Sequence, residues 1–128
     1  MPIMVGPYTP TVTSGQAAAD ALVFTGATPC VAFNDLLAIG VLQRLRQRGV
    51  RVPEDMSVIG CDDIFGADFS APPLTTIAGD TEHAGRLAAS RLIAILNGEP
   101  ARTGTTLIPT HLLVRESTGP VRHHDLGV

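Results

Sequence analysis

Two polar residues follow apolar segments that the sequence predicts to be buried strands. Asn34 follows the apolar segment 30–33, and Asp62 follows the apolar segment 56–60. An amide side chain offers both a donor and an acceptor, and an ionised carboxylate offers two acceptor oxygens. Because an open parallel sheet binds its ligands beyond the carboxyl ends of its strands, we expect Asn34 and Asp62 to bind a ligand with several hydroxyl groups.

Tyr8, the single tyrosine of the chain, is a third candidate. It lies in a loop rich in glycine and proline, after residues 3–5, which are predicted to end a strand. An aromatic ring at this place could stack against the apolar face of a sugar ring. Each candidate also has a structural alternative. Asn34 and Asp35 could merely start a helix, and Asp62 and Asp63 could form a turn. Tyr8 could pack within its loop.

The sequence contains no recognisable catalytic arrangement. Asp62 and Asp63 could hold a magnesium ion or share a proton, which leaves a small α/β hydrolase as a minor alternative. Neighbouring residues of an extended segment point to opposite faces, so we expect only one of the two to line a cleft. The remaining candidate groups have no partners at metal-ligand spacing: His111, His123, His124, Cys30 and Cys61. We therefore predict no enzyme activity, metal or cofactor, and we expect both cysteines to be small buried hydrophobes, with a disulfide as the alternative.

The elements that must position these residues alternate between strands and helices. Helical spacing of apolar residues predicts helices over 15–23, 35–48 and 80–97, the second of them capped by Asp35. Strands are predicted over 30–33, 56–60 and 107–114, with an extended segment at 74–77. The strand–helix–strand order implies a parallel pair joined by a right-handed crossover. We therefore predict an α/β fold with a parallel sheet and helices on both faces.

Composition excludes several classes of protein. The chain has 128 residues, 45% hydrophobic and only 16% charged, which fits one folded domain rather than a disordered segment. Arginine supplies all nine basic residues against twelve acidic ones, a net charge of -3, so a free-standing nucleic-acid binder is not expected. No apolar run reaches membrane-spanning length, and the first six residues lack the pattern of a signal peptide. We expect a cytoplasmic protein with no membrane partner.

Four ordered blocks of the chain resemble the lactose/galactose repressor family of bacterial transcription regulators. They are FNDLLAIG at 33–40, VRVPEDMSVIGCDD at 50–63, PPLTTI at 72–77 and VREST at 114–118. Four blocks in one order are far more specific than any single motif. The resemblance implies an effector-binding domain of periplasmic-binding-protein type, with two α/β lobes. Residues 1–78 and 104–118 would supply most of the C-terminal lobe, 79–103 would be an excursion into the other lobe, and 119–128 would be a tail.

The resemblance also implies roles for single residues and partners. Asn34 and the first aspartate of the pair, Asp62, would hydrogen-bond a small-molecule effector, and Tyr8 would stack on it. Ile39 and Phe69 would belong to the interface of a homodimer. Operator DNA would be bound only through a helix-turn-helix headpiece that lies outside this chain. Effector binding between the lobes would then change operator affinity.

Two departures from the family pattern bear on the effector. Cys61 replaces the usual aromatic before the aspartate pair, and Ala78 with Gly79 replaces a frequent Arg-Gln after TTI. A sugar or related polyol is the expected effector, and a purine or another non-sugar ligand stays open. The alternative function is the binding protein of a sugar transport system, which shares the fold. The blocks VPED, PPLTTI and VREST and the missing signal peptide favour the regulator.

Overall fold

The computed structural model describes residues 2–101 and 103–120. Within these ranges the helices and strands follow one another in the order α1 (Val12–Val23), β1 (Pro29–Val31), α2 (Asp35–Gln47), β2 (Ser57–Cys61), β3 (Thr75–Gly79), α3 (Thr81–Leu96) and β4 (Thr110–Leu113). The predicted tail from 121 onwards, with His123 and His124, lies outside the described residues. No helix in the described ranges is long and apolar enough to cross a bilayer.

The strands form one sheet in the order β1-β2-β3-β4. β1, β2 and β3 are parallel, and β4 is antiparallel to β3. In register, Val31 lies beside Ile59, and Cys61 lies beside Ile77. The carboxyl ends of the three parallel strands therefore meet at one edge of the sheet, which we call the carboxyl edge. The predicted α/β fold is confirmed, and the antiparallel β4 makes the sheet mixed.

α1 and α2 pack side by side on one face of the sheet. Their contact is tight, since a Cβ atom built on Gly40 would lie 2.0 Å from the carbonyl oxygen of Val12. Farther along, Asp20 of α1 is ion-paired with Arg44 and Arg48 of α2 at 2.7 and 2.6 Å. The start of α1 thus contacts the first half of α2, and the later part of α1 contacts the end of α2. The two helices therefore run in the same direction. Both helices therefore begin at the carboxyl edge.

The two faces of the sheet differ in cover. Val58 of β2 is fully buried in the core that α1 and α2 form with the sheet. The opposite face carries exposed apolar side chains, among them Val31 at 72% and Leu112 at 52% exposure. No residue of α3 is buried. Within the described ranges, the helical cover therefore lies on one face, although the sequence predicts helices on both.

Three predicted segments differ most from the structure, and the other boundaries shift by one or two residues. Residues 3–5 form no strand, so the prediction that they end one is wrong: β1 has no described neighbour on its outer side, and Met4 is 95% exposed. α1 starts three residues early because Thr11 caps it, its side chain accepting a hydrogen bond from the amide of Ser14. β4 is shorter than predicted, since its ladder with β3 begins only at Thr110.

Candidate functional site

Asn34 is the residue that caps α2. Its backbone is extended, with φ −151°, and its Oδ1 accepts a hydrogen bond of 3.0 Å from the amide of Leu37. The prediction that Asp35 caps this helix is therefore wrong. Capping occupies the oxygen of Asn34, and the half-buried side chain keeps its Nδ2 as a donor at the carboxyl edge. The structural alternative for Asn34 thus holds, and it does not occupy the donor that a ligand would use.

Asp35 instead turns its carboxylate onto the sheet. The residue is fully buried, and its Oδ1 accepts a hydrogen bond of 2.6 Å from Thr76 Oγ1. Its Oδ2 accepts one of 3.0 Å from the amide of Ile64. The space comes from Gly60, where an added Cβ would lie 2.0 Å from Asp35 Oδ1. Asp35 therefore joins the start of α2 to β3 and to the loop after β2.

Asp62 and Asp63 both adopt positive φ angles, 108° and 50°. This conformation is uncommon for residues with a side chain and costs on the order of 1–3 kcal/mol each, so the surroundings must hold it. The expectation of an extended pair is therefore wrong. The side chains still differ in environment, because Asp63 is ion-paired with Arg115 at 2.7 Å while exposed Asp62 is in no ion pair within the described ranges.

Cys61 is the last residue of β2 and directly precedes Asp62. Burial, and after it the negative charge of Asp62, raises the pKa of the Cys61 thiol, so this carboxylate lies near the half-buried sulfur. Burial likewise raises the pKa of Cys30, whose side chain belongs to the core. Both thiols are free, so the alternative of a disulfide is wrong. The prediction of a small buried hydrophobe is confirmed for Cys30 and is wrong for Cys61, which is only half-buried and lies outside the core. Within the described part of the chain, no three His, Cys, Asp or Glu residues form a group that could hold a metal ion.

Tyr8 lies three residues before Thr11, the cap of α1, and is 36% exposed. Because α1 begins beside the first half of α2, the loop with Tyr8 lies at the same end of the domain as Asn34. No described hydrogen bond joins Tyr8 to Asn34 or Asp62. The structure thus brings Asn34 and Asp62 to the ends of neighbouring strands, and it brings Tyr8 to the same end of the domain without joining it to them.

The sequence did not identify two residues that join β2, β3 and the loop after β2. The Oγ of buried Ser117 donates to the carbonyl of Val58 at 2.6 Å and accepts from the amide of Thr75 at 2.8 Å. Ser117 therefore bridges β2 and β3 near their amino ends. Arg115 reaches the carbonyl of Leu74 as well as Asp63. The polar residues of the blocks 72–77 and 114–118 were the only sequence signal for these contacts.

The carboxyl edge is an open surface. A groove of about 420 Å³ lies elsewhere, beyond the amino ends of β2 and β3, and contains none of the predicted binding residues. Its lining includes Leu42, Arg46, Val50, Val52 and Pro72. At the carboxyl edge, exposed aromatic rings stand next to the candidates, since Phe33 precedes Asn34 and Phe65 follows Asp63 by two residues. The edge offers a donor, an acceptor and apolar rings, which suits a polyhydroxyl ligand held from one side.

Residues 4–118 match the family of periplasmic binding protein-like domains. The transcriptional regulator MalR of Streptomyces coelicolor is 38% identical over 108 residues, which are 84% of this chain and 31% of MalR. The solved complex of the transcriptional regulator CelR with cellobiose is 38% identical, with a TM-score of 0.78 over 84% of this chain and 33% of that one. A LacI family transcriptional regulator from an Arthrobacter species in complex with lactose is also 38% identical, with a TM-score of 0.76 over 88% and 43%.

The chain spans about a third of the length of the curated relatives it matches. The helices and strands of the described ranges, from Val12 to Leu113, all lie within the matched residues 4–118. The chain belongs to the family of periplasmic binding protein-like domains, in the form found in LacI-type transcriptional regulators.

Proposed function

We propose that this chain is the ligand-sensing part of a transcription regulator whose effector is a sugar or a related polyol. The observation that carries the proposal is Asp62, an exposed carboxylate without an ion-pair partner among the described residues, held in a costly backbone conformation at the carboxyl edge. A carboxylate in this position can accept hydrogen bonds from two neighbouring hydroxyl groups. Relatives of the chain were solved in complex with cellobiose and with lactose, which supports this class of ligand.

Each of the three candidate residues has a distinct role in the proposed site. Asp62 accepts from ligand hydroxyls, and Asn34 donates through Nδ2, since its Oδ1 already caps α2. Tyr8 stacks on the apolar face of the ring. The site performs no chemistry on its ligand and needs no metal or cofactor. Binding changes the relative population of two conformations of the whole regulator, which is how a remote DNA-binding part is controlled.

The chain supplies most of one lobe in this proposal. Residues 1–78 and 104–118 form the C-terminal lobe, 79–103 cross into the facing lobe, and 119–128 are a tail. The crossing is supported by α3, whose Leu92, Ile93 and Ile95 are 58%, 57% and 47% exposed, as expected for a helix that packs against other residues of the regulator. A helix-turn-helix headpiece elsewhere in the full-length protein binds operator DNA in the cytoplasm.

The regulator is proposed to act as a homodimer through a surface that includes Ile39 and Phe69. Phe69 is 65% exposed and packs edge-to-face on Phe65, with ring centroids 5.0 Å apart. An exposed aromatic pair of this kind is typical of interface cores. Ile39 offers less area, since it already packs partly against the core of its own chain.

Calorimetric titration of the full-length protein tests the proposed ligand class. The probes are cellobiose, lactose and ribose, with guanine and adenosine as representatives of the purine alternative. We expect saturable binding of at least one sugar and of neither purine compound. If a purine compound binds saturably and no sugar does, the effector is a purine and not a sugar. Absence of binding by every sugar would contradict the proposal.

A further inference from the structure

A chain of hydrogen bonds leads from the loop after β2 to the buried carboxylate of Asp35. The amide of Asp63 donates to Thr76 Oγ1 at 3.4 Å, and this hydroxyl donates to Asp35 Oδ1 at 2.6 Å. The amide of Ile64 donates directly to Asp35 Oδ2 at 3.0 Å. Two consecutive amides of one loop are thus tied, one through a hydroxyl and one directly, to a single side chain on α2.

The loop needs such restraint because of its backbone. Asp62 and Asp63 adopt φ angles of 108° and 50°, which residues with side chains rarely occupy unless their surroundings impose them. On one side the amide of Asp62 is held by the carbonyl of Ile77 at 2.9 Å. The residues that follow are held by Thr76 and Asp35. The carboxylate of Asp62 therefore projects from a stretch of backbone that is fixed at both ends.

Asp35 itself is not in a position to touch a ligand. It is fully buried, and each of its carboxylate oxygens already accepts a hydrogen bond. A buried polar group is costly unless hydrogen bonds replace those it made to water, and both oxygens of Asp35 have such partners. Gly60 leaves the space for this carboxyl, since a Cβ added there would lie 2.0 Å from Oδ1. The side chain therefore holds β3 and the loop after β2 and does not face a ligand.

We infer that Asp35 and Thr76 are positioning residues. They fix the carboxylate of Asp62 relative to the side-chain Nδ2 of Asn34, so that both groups can bind one ligand. The inference rests on the proposed function, because it takes Asp62 and Asn34 as the ligand-binding pair. Asn34 caps α2, and Asp35 is the first residue of the same helix. The start of α2 therefore fixes the donor of Asn34 directly, and through Asp35 it fixes the loop that carries Asp62. A single buried carboxylate thereby sets the spacing between donor and acceptor.

Thr76→Val in the full-length protein tests the inference, because it removes the hydroxyl and keeps the shape of the side chain. Thr25→Val is the matched control. The Thr25 hydroxyl also donates to one oxygen, that of Leu22 at 2.7 Å, and accepts from one amide, that of Ala27 at 3.2 Å. It lies beyond the amino end of β1, at the opposite end of the sheet. Thr76→Ser restores the hydroxyl and is the rescue variant.

The first readout is amide hydrogen exchange, which needs no ligand. In the wild-type protein the Ile64 amide should exchange about a hundredfold slower than a free amide, although it belongs to a loop. In Thr76→Val the amides of Asp63 and Ile64 should exchange about tenfold faster than in the wild type, while that of buried Val41 changes no more than in Thr25→Val. Wild-type exchange of Ile64 at the free rate, or unchanged exchange of both amides in Thr76→Val, would overturn the inference.

The second readout is affinity for the sugar that binds the wild type best. Thr76→Val should raise its dissociation constant about tenfold, and Thr76→Ser and Thr25→Val should leave it within about threefold. Loosened amides with unchanged affinity, or an equal loss of affinity in Thr25→Val, would show that the pair does not position the ligand groups. If no sugar binds the wild type, the proposed function fails, and the positioning role in ligand binding falls with it, whereas the exchange data still decide whether Thr76 and Asp35 hold the loop.

Discussion

The backbones of Gly15 in α1 and Gly40 in α2 touch where the two helices cross. A Cβ atom added to Gly40 would lie 2.9 Å from the Cα of Gly15, and one added to Gly15 would lie 2.2 Å from the carbonyl oxygen of Leu37. Both helices carry the residues around the candidate site at their amino ends. The distance between the helices therefore depends on two positions that tolerate no side chain.

Gly40→Ala should destabilise the domain by about 1–3 kcal/mol, because the helices must move apart and loosen a well-packed core. Gly85→Ala is the control when both variants are measured in this chain alone, since Gly85 is also helical but nothing in the described ranges lies within 4 Å of its added Cβ. This second substitution should be neutral or stabilise by up to about 1 kcal/mol. Urea denaturation measures both changes. A neutral Gly40→Ala would show that the helices do not pack as closely as described.

Ser117→Ala should cost about 1–3 kcal/mol of stability, because it leaves the amide of Thr75 and the carbonyl of Val58 without a partner in a buried place. The matched control is Ser90→Ala, which is exposed in this chain. When urea denaturation of this chain alone is measured, it should change the free energy of unfolding by less than about 0.5 kcal/mol. Equal effects in the two variants would contradict the bridging role of Ser117 between β2 and β3.

Asp20 makes the stability of the domain depend on pH in the acid range. Substitution of this residue measures its contribution. Hydrogen bonds from Arg44, and then from Arg48, lower the pKa of Asp20 from 3.8 to about 2. A carboxylate with a lowered pKa stabilises the fold above its unfolded pKa, and this contribution is lost as the pH falls through the folded value. The difference in melting temperature between wild type and Asp20→Asn should therefore be full at neutral pH, narrow below about pH 4 and close near pH 2. A difference that is independent of pH would contradict the ion pair.

Asp62→Asn should weaken sugar binding about ten- to hundredfold, because it replaces a charged acceptor by a neutral one while asparagine still tolerates the positive φ of this position. Calorimetry measures the affinity. Asp68→Asn, an exposed aspartate of the same segment, is the control and should bind normally. Wild-type affinity in Asp62→Asn would remove this residue from the site.

The sequence predicted which residues would stand at the carboxyl edge, because that follows from the alternation of strands and helices alone. Asn34 and Asp62 lie at the ends of neighbouring strands as expected. The role of Asp35 was not predictable, because its partner Thr76 is 41 residues away and nothing local tells which of two adjacent residues caps a helix. Ser117 and Val58, 59 residues apart, illustrate the same limit. Contacts between distant segments depend on packing, which spacing and propensity do not determine.

The most direct test of the central proposal is the affinity of the full-length protein for its operator, measured with and without the best-binding sugar. The operator is first selected from genomic DNA fragments. A sensing domain couples its two sites by about 1–3 kcal/mol, so saturating sugar should change operator affinity roughly 5- to 150-fold in the wild type. The same sugar concentration should change it far less in Asp62→Asn, whose affinity without sugar stays at the wild-type level. Operator affinity that is the same with and without saturating sugar in the wild type would contradict the account.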